Sequence, residues 1–384
     1  MVTAPTLDIG LQNSTDSNTV YAYVTGRSIE RGGALFLLRS DGKTPYLPDS
    51  PPSTLEPLRA DCAIRLGSPG STVVVTIPRI AGARVWFCVD NQLTFKLNPG
   101  PALVEPSVTN PTDPNLNLNW SFAELTYNEN ELYANISYVD FVSVPVSLTL
   151  RSASGGTKHV AGMGPNGLDL VCDRLRAQDN IDGAGWSRLI VQEPRSGRNL
   201  RAMSPNTGIV TNNSLFQGYY QPYVDQVWAK YSRETLAINT QAPQWGVISG
   251  QVRNGELDLD GQRFGQPSSA DIFSCSTGPF EERGSAQRGA MIARLTAAFH
   301  RSTLLVNHTL PDSPPPFYQH PITNHYSRIV HETNLDGRGY AFPYDDVTAT
   351  GASDSSGAVN SGDPTLLTIA VGGNDARAIN KDEL

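Results

Sequence analysis

Glycine and proline interrupt this chain too often for long helices to build it. The 384 residues include 34 Gly and 28 Pro, and each is a point where a helix loses stability or stops. Short strands joined by turns tolerate that punctuation, so the chain is expected to be mainly β. The apolar runs agree. Thr19–Val24, Ala34–Leu38, Ser71–Ile77, Val85–Val89, Trp120–Tyr127 and Leu132–Leu150 are β-branched or aromatic stretches bounded by Gly, Pro and Asn. The Pro- and Asn-rich segment 98–117 reads as a loop rimming a cleft.

The middle of the chain changes period. Leu168, Val171 and Leu175 recur at helical spacing, as do Tyr220, Val224, Val227, Trp228 and Tyr231. Ile292, Leu295 and Phe299 form a third set in a helix starting near Ser285. Strand-like Trp245–Val252 and Glu256–Leu259 lie between the last two. After that the chain returns to strands, Tyr340–Tyr344 and Leu366–Val371, separated by a Gly/Ser-rich loop over 348–363. Residues 1–155 are therefore read as a β-sandwich or barrel, 156–305 as a mixed α/β domain, and 306–384 as the segment completing the β domain.

Composition narrows the partners. The net charge is -8 and the pI about 5.3, with no run of Lys and Arg, so nucleic acid and anionic membranes are disfavoured. No apolar stretch reaches the roughly 18 residues of a membrane span. Four cysteines, Cys62, Cys88, Cys172 and Cys275, lack metal-ligand spacing. An even number suits two disulfides, with Cys62–Cys88 and Cys172–Cys275 suggested by order, although four buried thiols would give the same sequence. Sequons at Asn13, Asn119, Asn135, Asn212 and Asn307 lean towards secretion. The first residues show no signal peptide, whereas Lys381–Leu384 spells an endoplasmic-reticulum retrieval signal. A mature form whose leader has been removed reconciles the two ends.

The chain has no GxSxG elbow, phosphate-binding loop or dinucleotide fingerprint, and His331-Glu332 is not followed by a second His at zincin spacing. No metal or organic cofactor is implied. The informative strings are Asn119–Asn128 and Leu132–Val142. Strand alternation puts Trp120, Phe122, Glu124, Thr126 and Asn128 on one face. A carboxylate among aromatic rings is disfavoured in its ionised form, which suits proton donation, and rings such as Trp120 offer faces for a sugar. On the second string Asp140 shares a face with Ile136 and Tyr138. Glycosidic cleavage needs two carboxyl groups, so Glu124 and Asp140 are the candidate pair. A regular hairpin turning near Glu129 would separate them by on the order of 20 Å, against the roughly 6.5–9.5 Å of an inverting pair. The ribbon must therefore depart from a regular hairpin.

These strings resemble those of the glycoside hydrolase family 64 β-1,3-glucanases, the laminaripentaose-producing type, within the thaumatin-like superfamily. The likeness runs over nearly the whole chain. It is carried by Trp86–Asp90, Phe122–Tyr127, Ala134–Val142, Tyr223–Trp228, Asp271–Phe280, Asn324–Arg328 and Gly339–Val347. It implies Glu124 as general acid and Asp140 as general base, with Thr126, Asn128 and Tyr133 touching the sugar. Trp120 and Tyr138 are added as binding candidates by their position beside the pair. The implied fold is a thaumatin-like β-sandwich or barrel with an inserted α/β domain and a wide groove between them. The implied activity is endo-acting, inverting hydrolysis of β-1,3-glucan to oligosaccharides such as laminaripentaose, by a monomer. The rival reading is a non-catalytic glucan-binding or antifungal protein of thaumatin-like form.

Overall fold

A computed structural model of the chain describes residues 2–311, 317–352 and 355–374, so the terminal Lys381–Leu384 string lies outside the described residues. Two sheets face each other as a β-sandwich. The first runs, in spatial order, Thr157–Val160, Val146–Ser152, Pro364–Val371, Thr6–Asn13 and Thr72–Pro78. Pro364–Val371 lies parallel to Thr6–Asn13, so the two ends of the described chain share one sheet. The second has eight strands. Ala358–Ser361, Leu132–Ile136, Asn119–Tyr127, Ile80–Val89, Val20–Ser28, Ala34–Leu38 and Pro45–Tyr46 follow one another, with Ile64–Arg65 on Val20–Ser28.

Alternation decides what each face carries. Leu7, Ile9 and Leu11 point from the first sheet at Val85, Phe87, Ala123, Leu125 and Tyr127 of the second, and all belong to one buried cluster. Each large side chain so buried contributes about 1.5–3 kcal/mol of transfer free energy. The outer face of the eight-stranded sheet builds a second, aromatic core. Tyr23, Trp86, Trp120 and Phe122 are covered there by Leu93, Phe95, Leu97 and Phe141. Trp86 meets Phe95 edge-on at 5.7 Å, and Trp120 meets Phe141 at 4.9 Å, in the geometry aromatic quadrupoles favour.

The third sheet, Gln262–Phe264, Glu256–Leu259, Val247–Arg253, Leu236–Asn239 and Thr309–Leu310, packs with helices Gln221–Tyr231 and Ala286–Arg301. Ser285 caps the second helix by accepting from the Arg288 amide, and Ser302 ends it in the left-handed conformation. Helices Gly167–Asp182 and His325–Thr333 pack against each other.

Four expectations need correction. The Leu132–Leu150 run is not one strand: it breaks into Leu132–Ile136, Phe141–Val142 and Val146–Ser152. Tyr340–Tyr344 is not a strand either. Tyr340 makes a single bridge to Ser137, and a turn follows through Pro343. Within 348–363 the segment Ala358–Ser361 pairs with Leu132–Asn135, so part of the Gly/Ser-rich stretch is sheet. The four cysteines are free and buried, with no disulfide. Cys62 and Cys88 lie in the outer aromatic core and Cys172 in the inner one, and burial pushes all four thiols up to about 12.

Candidate active site

The register of three neighbouring strands builds the site. Glu124 pairs with Arg84 on one side and Asn135 on the other. One step along, Thr126 pairs with Tyr133, while the partner strand slips register between Leu125 and Tyr127. The slip brings Gly82, at φ +52, beside Thr126, whose Oγ1 accepts from the Gly82 amide at 3.3 Å. Phe95 and Phe141 cover the Trp86 and Phe122 row but not the next one. Arg84, Glu124, Thr126, Tyr133 and Asn135 thus line an open depression of about 470 Å³, joined by Glu105.

Arg84 organises this floor. Its Nε donates to Glu124 Oε1 at 3.2 Å and its Nη1 to Glu105 Oε2 at 2.8 Å. Its guanidinium lies over the Phe122 ring at 4.7 Å and the Trp86 ring at 5.4 Å. The aromatic residues therefore support the arginine from below instead of surrounding the Glu124 carboxylate, whose side chain stays 35% exposed. Glu105 is held above the usual carboxylate range by burial, with Arg84 pulling the other way.

Asp140 reaches the same region because its strand ends early. At Ser137 the chain leaves the Glu124 strand and bridges to Tyr340, and Tyr138 N donates to Tyr340 O at 2.7 Å. Two residues later Asp140 O accepts from Ser204 N at 2.9 Å, and Phe141 and Val142 pair with Met203 and Ala202. Asp140 is thus fixed by the Asn199–Met203 strand, not by continued pairing with the Glu124 strand. The chain therefore departs from the regular hairpin between the two carboxylates. Burial raises the Asp140 carboxyl above its ordinary value, and the Arg84 charge pulls it down. The same arginine therefore acts on both carboxylates.

The remaining candidates fall in two groups. Thr126 and Tyr133 line the depression. Asn128 sits one turn further on, where its Oδ1 accepts from Asn130 N and Glu131 N and closes the hairpin, leaving its Nδ2 for other partners. Trp120 and Tyr138 are buried. The Trp120 indole donates to Asn115 O, and the Tyr138 hydroxyl to Asn334 Oδ1. Neither presents a ring face to a sugar. Sequence reasoning missed Arg84, Glu105 and Arg201. Arg84 was accessible from its parity with Trp86, but nothing local marks Glu105, which comes from the 98–117 segment. Buried Arg201 donates to Leu116 O and Leu118 O and ties the Asn199–Met203 strand, on which Asp140 is docked, to the entry of the Glu124 strand.

Two other clusters of polar groups lie apart from the depression. Cys275 Sγ lies 3.2 Å from His300 Nε2, and Asn324 Nδ2 donates to His300 Nδ1 at 2.7 Å, a nucleophile–base–orienter arrangement. All three are buried, the thiol is raised to about 12 and the imidazole lowered to about 3 by burial, so the chain is neutral and unreactive. Asp345 is fully buried between Arg301 at 3.1 Å and His331 at 3.0 Å. Among the described residues no group of three or more His, Cys, Asp or Glu could hold a metal ion, and no helix is long and apolar enough to cross a membrane.

A family model described as β-1,3-glucanase, glycoside hydrolase 64, matches residues 5–371. The chain belongs to glycoside hydrolase family 64. This family 64 chain is 30% identical over 290 residues to a glucan endo-1,3-beta-glucosidase of Cellulosimicrobium cellulans, covering 72% of this chain and 50% of the relative. A second glucan endo-1,3-beta-glucosidase, from an Arthrobacter strain, is 29% identical, again over 72% and 50%. The chain thus spans about half the length of the curated relatives it matches. In structure it is similar to a laminaripentaose-producing β-1,3-glucanase in complex with laminaritetraose, with TM-score 0.85, 30% identity, and 96% and 99% of the two chains covered. A family 64 β-1,3-glucanase domain from Clostridium beijerinckii shares the fold at TM-score 0.72 and 20% identity, over 96% and 98%.

Proposed function

We propose that this chain is an endo-acting β-1,3-glucanase that inverts configuration in a single displacement. The observation that carries the reading is that Arg84 bonds Glu124 on the floor of one open depression while its charge also acts on Asp140. Their environments differ: Glu124 is ion-paired and solvent-touched, whereas Asp140 is partly buried and, among the described residues, has no side-chain hydrogen bond. Different environments suit the two different roles. Glu124 gives its proton to the glycosidic oxygen as the bond from that oxygen to C1 breaks. Asp140 takes a proton from a water whose oxygen joins C1 from the opposite ring face. Thr126 and Tyr133 are the proposed sugar contacts, with the Asn128 Nδ2 beyond them. The substrate named for the solved relative, laminaritetraose, and the activity named for the curated relatives support a β-1,3-linked glucan. The groove beside the β-sandwich is proposed to hold that glucan, with the 1–155, 156–305 and 306–384 division as its framework. An extracellular setting and a monomeric state complete the proposal.

The test is hydrolysis of laminarin or curdlan by wild type, Glu124→Gln and Asp140→Asn, with the first anomer read by proton NMR. Release of the α-anomer by wild type and a loss of about 10²–10⁴-fold in both variants, with glucan binding retained, is the expected result. One observation favours a glucan-binding protein instead: the carboxylate of the proposed acid is already engaged by Arg84 at 3.2 Å. Binding of laminarin-oligosaccharides by wild type with no release of reducing sugar would establish that rival.

A further inference from the structure

The proposed general acid touches a cation. An arginine beside a carboxylate favours its charged form, which by itself works against proton donation. The structure supplies a counterweight. Arg84 divides its fork between Glu124 and Glu105, and the Glu105 contact is the shorter, 2.8 Å against 3.2 Å. Both carboxylate side chains are about one-third exposed, 36% and 35%, so the pairs lie at the edge of the solvent, where one counter-charge changes the local field without being fully screened. Glu105 itself follows the short Ala102–Val104 strand and has no part in pairing the three site strands. Its side chain reaches the site through Arg84.

We propose that Arg84 is a positioning residue for Glu124, and that Glu105 is the counter-ion that sets how much of the arginine's charge reaches Glu124 and Asp140. This rests on the proposed glucanase reading. The positioning half follows from three constraints on one guanidinium: the Phe122 and Trp86 rings below, Glu105 on one side and Glu124 on the other. A planar group held on a ring and by two carboxylates has no free rotation left, so it fixes Glu124 Oε1. The charge half follows from electroneutrality. With Glu105 ionised, the Glu105–Arg84 pair carries no net charge, so less of the arginine's positive field reaches Glu124.

The charged and titratable groups facing this cluster come from several elements. Arg84 comes from Ile80–Val89, Glu124 from Asn119–Tyr127, Tyr133 from Leu132–Ile136, and Glu105 and Asp140 from the segments after their strands. Arg27 adds its charge behind Glu105, and Tyr326 lies beside Asp140. Removal of Glu105 takes away the counter-charge on Arg84 and leaves the acid, the base and the arginine all in place.

The experiment compares kcat and kcat/KM against pH for wild type, Glu105→Gln, Arg84→Lys and Arg84→Met on soluble laminarin-oligosaccharides. Glu105→Gln leaves the Arg84 charge unbalanced, so both carboxyls ionise more readily. The acidic and alkaline limbs of kcat/KM should both move down by about one pH unit. Arg84→Met should move both limbs up. Arg84→Lys keeps the charge and loses the fork, so the limbs should stay while kcat falls by about 10–100-fold with little change in KM. Superimposable profiles for Glu105→Gln and wild type would overturn the counter-ion role, and wild-type kcat in Arg84→Lys would overturn the positioning role. A second readout needs no turnover. Titration of ¹³C-labelled Glu and Asp carboxyls, assigned with Glu124→Gln and Asp140→Asn, should show both midpoints lowered by Glu105→Gln, and unmoved midpoints would overturn the inference. A wild-type chain that cleaves no glucan would sink the functional reading while this titration still decides the role of Glu105.

Discussion

At the scale of single residues, the site side chains already have partners, and those partners decide what a substitution does. Thr126 Oγ1 accepts from Gly82 N, which leaves its hydroxyl proton free to be offered into the depression. Thr126→Ala removes that one donor, so kcat/KM on laminarin-oligosaccharides should fall by about 3–10-fold, one net hydrogen bond, mainly through KM. Asn135 and Asn13 show how a sequon is cancelled by its surroundings. Asn135 lines the depression as the cross-strand partner of Glu124, and its Oδ1 is buried. Asn13 is fully buried, with its Nδ2 donating to Ser17 O and Gly67 O at 2.9 Å each. Expression in a glycosylating host followed by peptide mass mapping should find both unmodified. A glycan on Asn135 would contradict the placement of that side chain.

At the scale of elements, sequence and structure agree where a strand is one short β-forming run bounded by turn residues. Ala34–Leu38 and the Trp120–Tyr127 run were legible because Gly or Asn closes off their apolar and aromatic residues, and the helix after Ser285 because a capping serine precedes an apolar stripe. The Leu132–Leu150 run was not, because all its β-forming residues look alike whether the strand continues or breaks. What breaks it is tertiary: the Tyr340 bridge and the docking of Phe141–Val142 on Asn199–Met203. No local signal in Ser137–Asp140 records those partners. The same holds for Ala358–Ser361, whose Gly/Ser-rich surroundings hide a strand that exists because Leu132–Asn135 presents an edge. Helix His325–Thr333 is short and follows a proline-rich stretch, so its capping Asn324 was the only usable mark. The strand that carries Asp140's neighbours depends on Arg201, which stacks 5.7 Å from both Trp120 and Phe141 while bonding Leu116 O and Leu118 O. Arg201→Met leaves two carbonyls without their donor, and should cost about 2–4 kcal/mol of unfolding free energy, read by equilibrium urea denaturation.

At the scale of the whole molecule, buried histidines set how stability follows pH. Three behave differently. Burial holds His300 and His325 neutral, with His300 lowered to about 3. Unfolding frees both to bind protons below their ordinary value of 6.5, so their contribution is lost as pH falls below that point. His331 is the opposite case. Its Nδ1 faces Gly337 O at 3.0 Å and its Nε2 faces Asp345 Oδ2 at 3.0 Å, two acceptors that hold the ring as a cation. Burial opposes this most strongly, but Asp345 and the Gly337 carbonyl together outweigh it, and the His331 imidazole is raised. A raised histidine contributes fully below its unfolded value and loses that contribution as pH rises through its folded one. Asp345 is lowered by His331 and Arg301, so its own contribution fails only in strong acid. The terms together place the stability maximum near the ordinary histidine value, about pH 6.5. Unfolding free energy should fall on both sides of it, by up to about 1.4 kcal/mol per pH unit for each proton involved. His331→Gln keeps a polar side chain at Asp345 but cannot titrate, so it should flatten the alkaline side and leave the acid side unchanged. Urea denaturation of wild type and His331→Gln from pH 5 to pH 9 checks this directly. An alkaline slope that survives the substitution would assign it to another group and remove His331 from the account.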